Sequence, residues 1–198
     1  MKKLFYGIAA ASILCSCAGS FKSVNPSAVS YYTPADRSDV DMQYKYDVLR
    51  EKGNKKYARK ELKAGFRLVA VKITNTTGKP IKMGEDAKIY SGDSEIRLWP
   101  PDLIFRKIKQ TTPLYLLYLL LTPTTLTTGS ETFPIGYILG PGLAAGNIAV
   151  AATANKRLKE ELMQFDISEK RIGPGETAYG LIGVPEMGFV PLRVVIKH

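Results

Sequence analysis

Cysteine and histidine are almost absent from this chain. Its 198 residues include two cysteines, Cys15 and Cys17, and one histidine, His198, which is the last residue. Both cysteines fall within the first 17 residues, so the body of the chain has no disulfide and no thiol to do chemistry. One terminal histidine excludes a Ser-His-Asp or Cys-His site and the ordinary zinc sites. Acidic residues are also sparse, 18 against 28 Lys and Arg, for a net charge of +10. The carboxylates at Asp36, Asp39 and Asp41, at Glu85 and Asp86, and at Asp93 lack the spacing of a calcium loop and read as solvated loops. Gly173-Pro174-Gly175 lacks the Lys-Ser/Thr ending of a phosphate loop. These absences predict a non-enzyme without cofactor or metal.

The N-terminus is the most informative segment present. Lys2 and Lys3 precede an apolar run at residues 4–14, and Leu14-Cys15-Ser16-Cys17 follows. A basic start, a short apolar stretch and small residues describe a secretory signal. The run is too short to span a bilayer, which takes about 20 residues. The tetrapeptide resembles the lipobox of bacterial lipoproteins. That resemblance implies that residues 1–16 are removed and that Cys17 receives a diacylglyceryl thioether and further acyl groups such as palmitate. Cys15 fits less well, because Ile13 is bulky where a small residue is wanted. Removing residues 1–16, Lys2 and Lys3 among them, would leave 182 residues at +8. Ala18-Gly19-Ser20-Phe21-Lys22 has none of the acidic residues that accompany surface export in some lipoproteins, which points to the periplasmic side of an outer membrane.

Residues 17–40 are rich in Ser, Pro, Ala and Asp and read as a lipid-anchored tether, followed by one domain at 41–198. Alternating apolar residues predict strands at 43–49, 66–76, 87–91, 95–99, 177–184 and 190–197, with a shorter one at 165–167. Gly92-Asp93 suits a hairpin, and Gly173-Pro174-Gly175-Glu176 suits a type II turn. The segment between Asn54 and Gly65 reads as a short basic helix or a long basic hairpin connection, and Asp102 opens a short helix at 103–109. Many short strands separated by turn signals predict a mainly β fold, an immunoglobulin-like β-sandwich with an inserted apolar helical hairpin at 110–164. VAVKITNTTGKPI and ISEKRIGPGETAYGLIGVP resemble uncharacterised periplasmic lipoproteins with an immunoglobulin-like sandwich, and that likeness implies no catalytic residue.

Two features bear on partners. Lys52, Lys55, Lys56, Arg59, Lys60 and Lys63 form a basic segment suited to an anionic envelope ligand, such as a lipid headgroup, lipopolysaccharide or an acidic glycan. Export argues against nucleic acid. Tyr31, Tyr32, Tyr44 and Tyr46 could line a glycan-binding face, although Tyr44 and Tyr46 also suit a core. The second feature is residues 110–155, whose only charge is Glu131. Its two apolar parts are LYLLYLLL at 114–121 and FPIGYILGPGLAAGNIAVAATA at 133–154, and Gly136-xxx-Gly140 and Gly142-xxx-Gly146 match the small-xxx-small pattern of close helix pairs. A helix is expected over 141–164, with Pro141 in its first turn. Three fates are open for this insertion: packing on the sandwich, dipping into the bilayer beside the anchor, or meeting a protein partner of the envelope. The amphipathic end at 156–165 favours packing. The function expected is that of a lipid-anchored structural or interaction module, with an accessory protein for an anionic ligand as the alternative.

Overall fold

The computed structural model describes residues 17–32 and 40–197. The expected signal peptide at 1–16, with Cys15, and the residues Asp36, Asp39 and His198 lie outside the described residues. The chain divides into two compact units. One joins the segment ending at Ser20 to Gln110–Lys156; the other joins Phe21–Lys109 to Arg157–His198. They are called the hairpin unit and the sheet unit below.

The sheet unit is built on β2 (Phe66–Asn75), which lies between β1 (Val40–Lys45) and β9 (Thr177–Pro185), antiparallel to both. Its face with Val69, Val71 and Ile73 shares one buried cluster with Ile89 of β4 (Ala87–Ser91), Val194 of β10 (Arg193–Ile196) and Ile172 of β8 (Arg171–Ile172). β4 lies between β10 and β5 (Ser94–Glu95), and β8 pairs with β3 (Ile81–Lys82). On the opposite face of β2, Phe66, Leu68 and Ala70 are also fully buried. Helices α1 (Val48–Glu51), α2 (Lys55–Lys63) and α3 (Pro101–Ile108) cover that side of the sheet. Phe66 stacks on Trp99 with ring centroids 4.8 Å apart, and a Cβ at Gly183 would meet Ile104 Cδ1 at 2.6 Å.

This corrects the expected architecture. The fold is mixed α/β, 36% helix and 28% strand among the described residues, with open, uncurled sheets, and is not an immunoglobulin-like β-sandwich. The physical reason lies in β2. A strand apolar on both faces needs a cover on both, and here helices supply one of them. Other boundaries moved for local reasons. The strand expected at 43–49 ends at Lys45, because Asp47 takes a left-handed φ of 56° and turns the chain into α1. The expected strand at 95–99 shrinks to Ser94–Glu95, after which only Trp99 bridges, to Gly183. No strand forms at 165–167, although Leu181 donates to the Phe165 carbonyl at 2.8 Å. The Gly92-Asp93 hairpin and the turn closed by Glu176 N donating to Gly173 O at 3.1 Å are present as read.

The segment read as a tether carries buried side chains, Phe21 and Val24. Asn54 exchanges two hydrogen bonds with the Lys22 backbone, at 2.8 and 2.7 Å, and buried Glu161 accepts from Val24 N at 2.5 Å and Asn25 N at 3.1 Å.

The hairpin unit has two arms. The first is a 3-10 stretch, Thr112–Leu121. A small β-hairpin follows, β6 (Leu126–Thr128) with β7 (Glu131–Phe133). The second arm is α4 (Gly136–Gln164), which belongs to this unit through Lys156. The helix begins five residues before Pro141, so that proline sits in its interior and not in the first turn. There it cannot donate to the carbonyl four residues back. The early start follows from tertiary contact. A Cβ at Gly136 would collide with the Leu121 and Thr122 carbonyl oxygens, and one at Gly140 would meet Thr122 Oγ1 at 2.9 Å. Gly142 and Gly146, by contrast, face open space.

Candidate functional site

Two places gather the residues singled out in the sequence. The first is the base of the hairpin unit. Cys17 is exposed, and the two residues behind it, Ala18 and Gly19, are held by amide side chains. Asn147 Oδ1 accepts from Ala18 N at 2.5 Å. Gln110 accepts from Gly19 N at 3.0 Å and donates to Gly19 O at 2.5 Å. Gln110 is in turn fixed by Asn155, which accepts from its backbone N–H at 2.7 Å and donates to its carbonyl at 2.8 Å. Tyr115 donates to Gln110 Oε1 at 3.2 Å. Gln110, Asn147 and Asn155 are all buried, and each has its partners. A buried amide left unmatched would cost about 1–3 kcal/mol, so the pairings stabilise one position for Ala18 and Gly19.

The apolar side chains of this unit mostly point the other way. Its buried cluster is small and built from Tyr115, Tyr118, Ala144 and Ala151. Leu114, Leu116, Leu117, Leu119 and Leu120 of the first arm are exposed, as are Tyr137, Ile138, Leu139, Leu143 and Val150 of α4. Among the described residues, α4 is the one helix long and apolar enough to cross a membrane, and only 28% of its most apolar window is buried. The leucine-rich surface of this unit is exposed, whereas Leu158 and Leu162 in the amphipathic end of α4 are buried.

The second place is the basic segment. Lys55, Arg59 and Lys63 project one turn apart from α2 and are exposed, while Lys56 and Lys60 form a half-buried second row. Lys60 Nζ donates to the Lys109 carbonyl. Burial, and then the neighbouring charges of Lys56 and Lys109, lower the Lys60 pKa. A cleft of about 300 Å³ is lined by Arg50, Lys55, Ala58 and Arg59. Lys52 caps the end of α1 and lines a neighbouring cleft with Glu51. The six basic residues are thus spread over the cap of α1 and two rows of α2.

The remaining sequence candidates serve the fold. Tyr46 is buried, donates to Val190 O at 2.9 Å, and is pushed up to about 12 by burial, while Tyr44 packs edge-on to it. Tyr31 donates to Pro26 O at 2.5 Å and is shifted upward by burial. Tyr32 is exposed beneath Lys45 Nζ, which sits 4.5 Å from its ring centre. Glu85 pairs with Lys82 at 2.7 Å, Asp86 accepts from Lys82 N at 2.8 Å, and Asp93 pairs with Arg193 at 3.3 Å. Asp41 lies on β1. Among the described residues no three His, Cys, Asp or Glu side chains form a metal-holding group.

Sequence reading missed Gln110, Asn147 and Asn155. Their signal was present, since two asparagines eight residues apart share one helical stripe in an otherwise apolar run. It also missed Glu61, which is 1% exposed, accepts from Leu68 N at 3.0 Å, and is pushed up to about 7, mainly by burial. No family model, curated protein or solved structure matches this chain.

Proposed function

We propose that the protein is a non-enzymatic, lipid-anchored protein of the bacterial cell envelope. It is held through Cys17 to the outer membrane, on the periplasmic side, and acts as a structural or interaction module. One observation carries the reading. Cys17 follows the lipobox-like Leu14-Cys15-Ser16 and is exposed at the end of a segment whose backbone is pinned by Asn147 and Gln110. A thiol there is accessible for acylation, and several acyl chains on one residue give stable attachment where a single chain is marginal. The test is metabolic palmitate labelling of the full chain and of Cys17→Ala. The reading expects label on the natural chain and none on the variant; full labelling of Cys17→Ala would overturn it.

A second reading is favoured by the lysine cluster. Burial first, and then the like charges of Lys56 and Lys109, lower the Lys60 pKa, and an anionic headgroup or glycan would relieve the repulsive part of that shift. Binding to anionic but not neutral vesicles, lost as salt rises, would support an accessory role of this kind.

A further inference from the structure

We infer that the hairpin unit is a membrane-embedded device: its two arms enter the lipid bilayer beside Cys17, and both chain ends remain on one side. The inference rests on the anchor reading for its location, and on four observations within the unit for its chemistry.

The first is inverted polarity. In a water-soluble unit apolar groups turn inward and amides outward. Here Gln110, Asn147 and Asn155 are inside, satisfied by each other and by the Ala18 and Gly19 backbone, while the leucines of the first arm face out. Hydrocarbon offers no hydrogen bonds, so a unit immersed in it must satisfy its polar groups internally. Small residues and amide bonds then hold its helices together. The buried cluster has that makeup, two alanines of α4 against two tyrosines, and Gly136 and Gly140 let the arms touch backbone to backbone.

The second observation is charge. Residues 110–155 carry only Glu131, which lies on β7 within the Thr-rich β-hairpin between the arms. Immediately outside lie Arg106, Lys107 and Lys109 on one flank and Lys156, Arg157 and Lys159 on the other. Basic residues bracketing an apolar segment at both ends suit anionic headgroups and keep their charge at the interface.

The third is length. Residues 136–155 rise about 30 Å at 1.5 Å per residue, which is about the thickness of a bilayer's hydrocarbon layer. The first arm runs alongside, from Gln110 hydrogen-bonded to Asn155 at one end to Thr122 against Gly140 at the other.

The fourth is topology. β2 precedes the hairpin and β9 follows it, and they pair over nine residues from Phe66↔Pro185 to Thr74↔Thr177. The chain entering and the chain leaving the hairpin must therefore lie on the same side of the membrane, so a single crossing is impossible. A paired hairpin satisfies that constraint. The pinned residues Ala18 and Gly19 place Cys17 on the same unit, so acyl chains carried there would bring the leucine surface to the lipid.

The test is lipid-phase photolabelling of the full natural chain in native membranes. An apolar carbene precursor is partitioned into the bilayer and photolysed, and the digested protein is read by mass spectrometry. The inference predicts adducts on peptides containing Leu114–Leu121 side chains and on those spanning 137–150, with none on β2 or β9. A bilayer whose other integral proteins are labelled while these peptides stay clean would overturn it, as would a protein partner covering them. The same digest reports the mass of the Cys17 peptide. Acylated Cys17 with a clean hairpin overturns the inference and leaves the anchor; unmodified Cys17 with a labelled hairpin does the reverse.

Discussion

The two units of this chain use apolar residues in opposite ways. In the sheet unit Leu68, Val69, Val71, Ile73, Ile104 and Leu158 are buried, and the charged side chains are mostly outside. In the hairpin unit the amides are buried and Leu117, Leu120 and Ile138 are outside. Only the sheet unit turns most of its large aliphatic side chains inward. Water drives the first arrangement by removing apolar area from contact with it. The second arrangement has no such drive in water and needs another solvent or a cover.

That contrast can be broken with matched substitutions. The largest effect is expected from a pair of leucines. Leu68→Ala empties a fully buried position on β2 and should lower the unfolding free energy by about 2–5 kcal/mol. Leu120→Ala, at a side chain 74% exposed, should change it by less than about 0.5 kcal/mol. Chemical denaturation of the detergent-solubilised protein, followed by Trp99 fluorescence, measures both; equal losses would erase the distinction between the units.

Glycines give the next contrast. A Cβ at Gly180 would sit 2.7 Å from Ile167 Cβ, a branched and buried neighbour, so Gly180→Ala should cost about 1–3 kcal/mol through overpacking. Gly142 lies in α4 facing open space, and Gly142→Ala should stabilise by about 0.5–1 kcal/mol. Thermal unfolding curves of the two variants should therefore move in opposite directions.

A pH experiment sharpens the description of the sheet unit. Glu61 has its folded pKa raised from 4.5 to about 7. The folded state then holds the proton more tightly than the unfolded chain does. Its contribution is fully present below about 4.5 and is lost as pH rises through about 7. The natural protein should become less stable from pH 5 to pH 8, and Glu61→Gln should flatten that slope by on the order of 2 kcal/mol. Parallel pH profiles for the two proteins would contradict the assignment.

The smallest effect concerns the basic rows of α2. Each of Lys56→Ala, Arg59→Ala and Lys60→Ala should weaken the preference for anionic over neutral vesicles by about fivefold, from about 1 kcal/mol per basic residue near a charged surface. The preference should fade for all of them in high salt. Unchanged preference in the triple variant would remove α2 from any anionic contact.

Some of this was legible from the sequence and some was not. Period-two alternation located β2, β4 and β9, and Asn54 and Gly65 bracketed α2, because those signals are local. Asn54 serves by gripping the Lys22 backbone and not by capping the helix with its side chain. The architecture was misjudged because the cover over Leu68 and Ala70 comes from α1, α2 and α3, short elements whose own periodicity says nothing about which sheet face they meet. The start of α4 was misplaced because Pro141 is a strong local signal, whereas the approach of Gly136 and Gly140 to Leu121 and Thr122 is a long-range one. Exposure of the leucine arm is invisible in any linear pattern, since a core arm and a lipid-facing arm share the same letters.

The most direct measurement compares two reporter cysteines in native membranes: Ile138→Cys on α4, at a side chain 79% exposed, and Lys55→Cys on α2. Each full-length variant is treated with a water-soluble maleimide before and after detergent, with membranes opened so that both faces are reachable, and with the natural chain as the blank. The account predicts that Lys55→Cys reacts in both conditions and that Ile138→Cys reacts only once detergent has replaced the lipid. Equal reactivity of the two cysteines in intact membranes would contradict it.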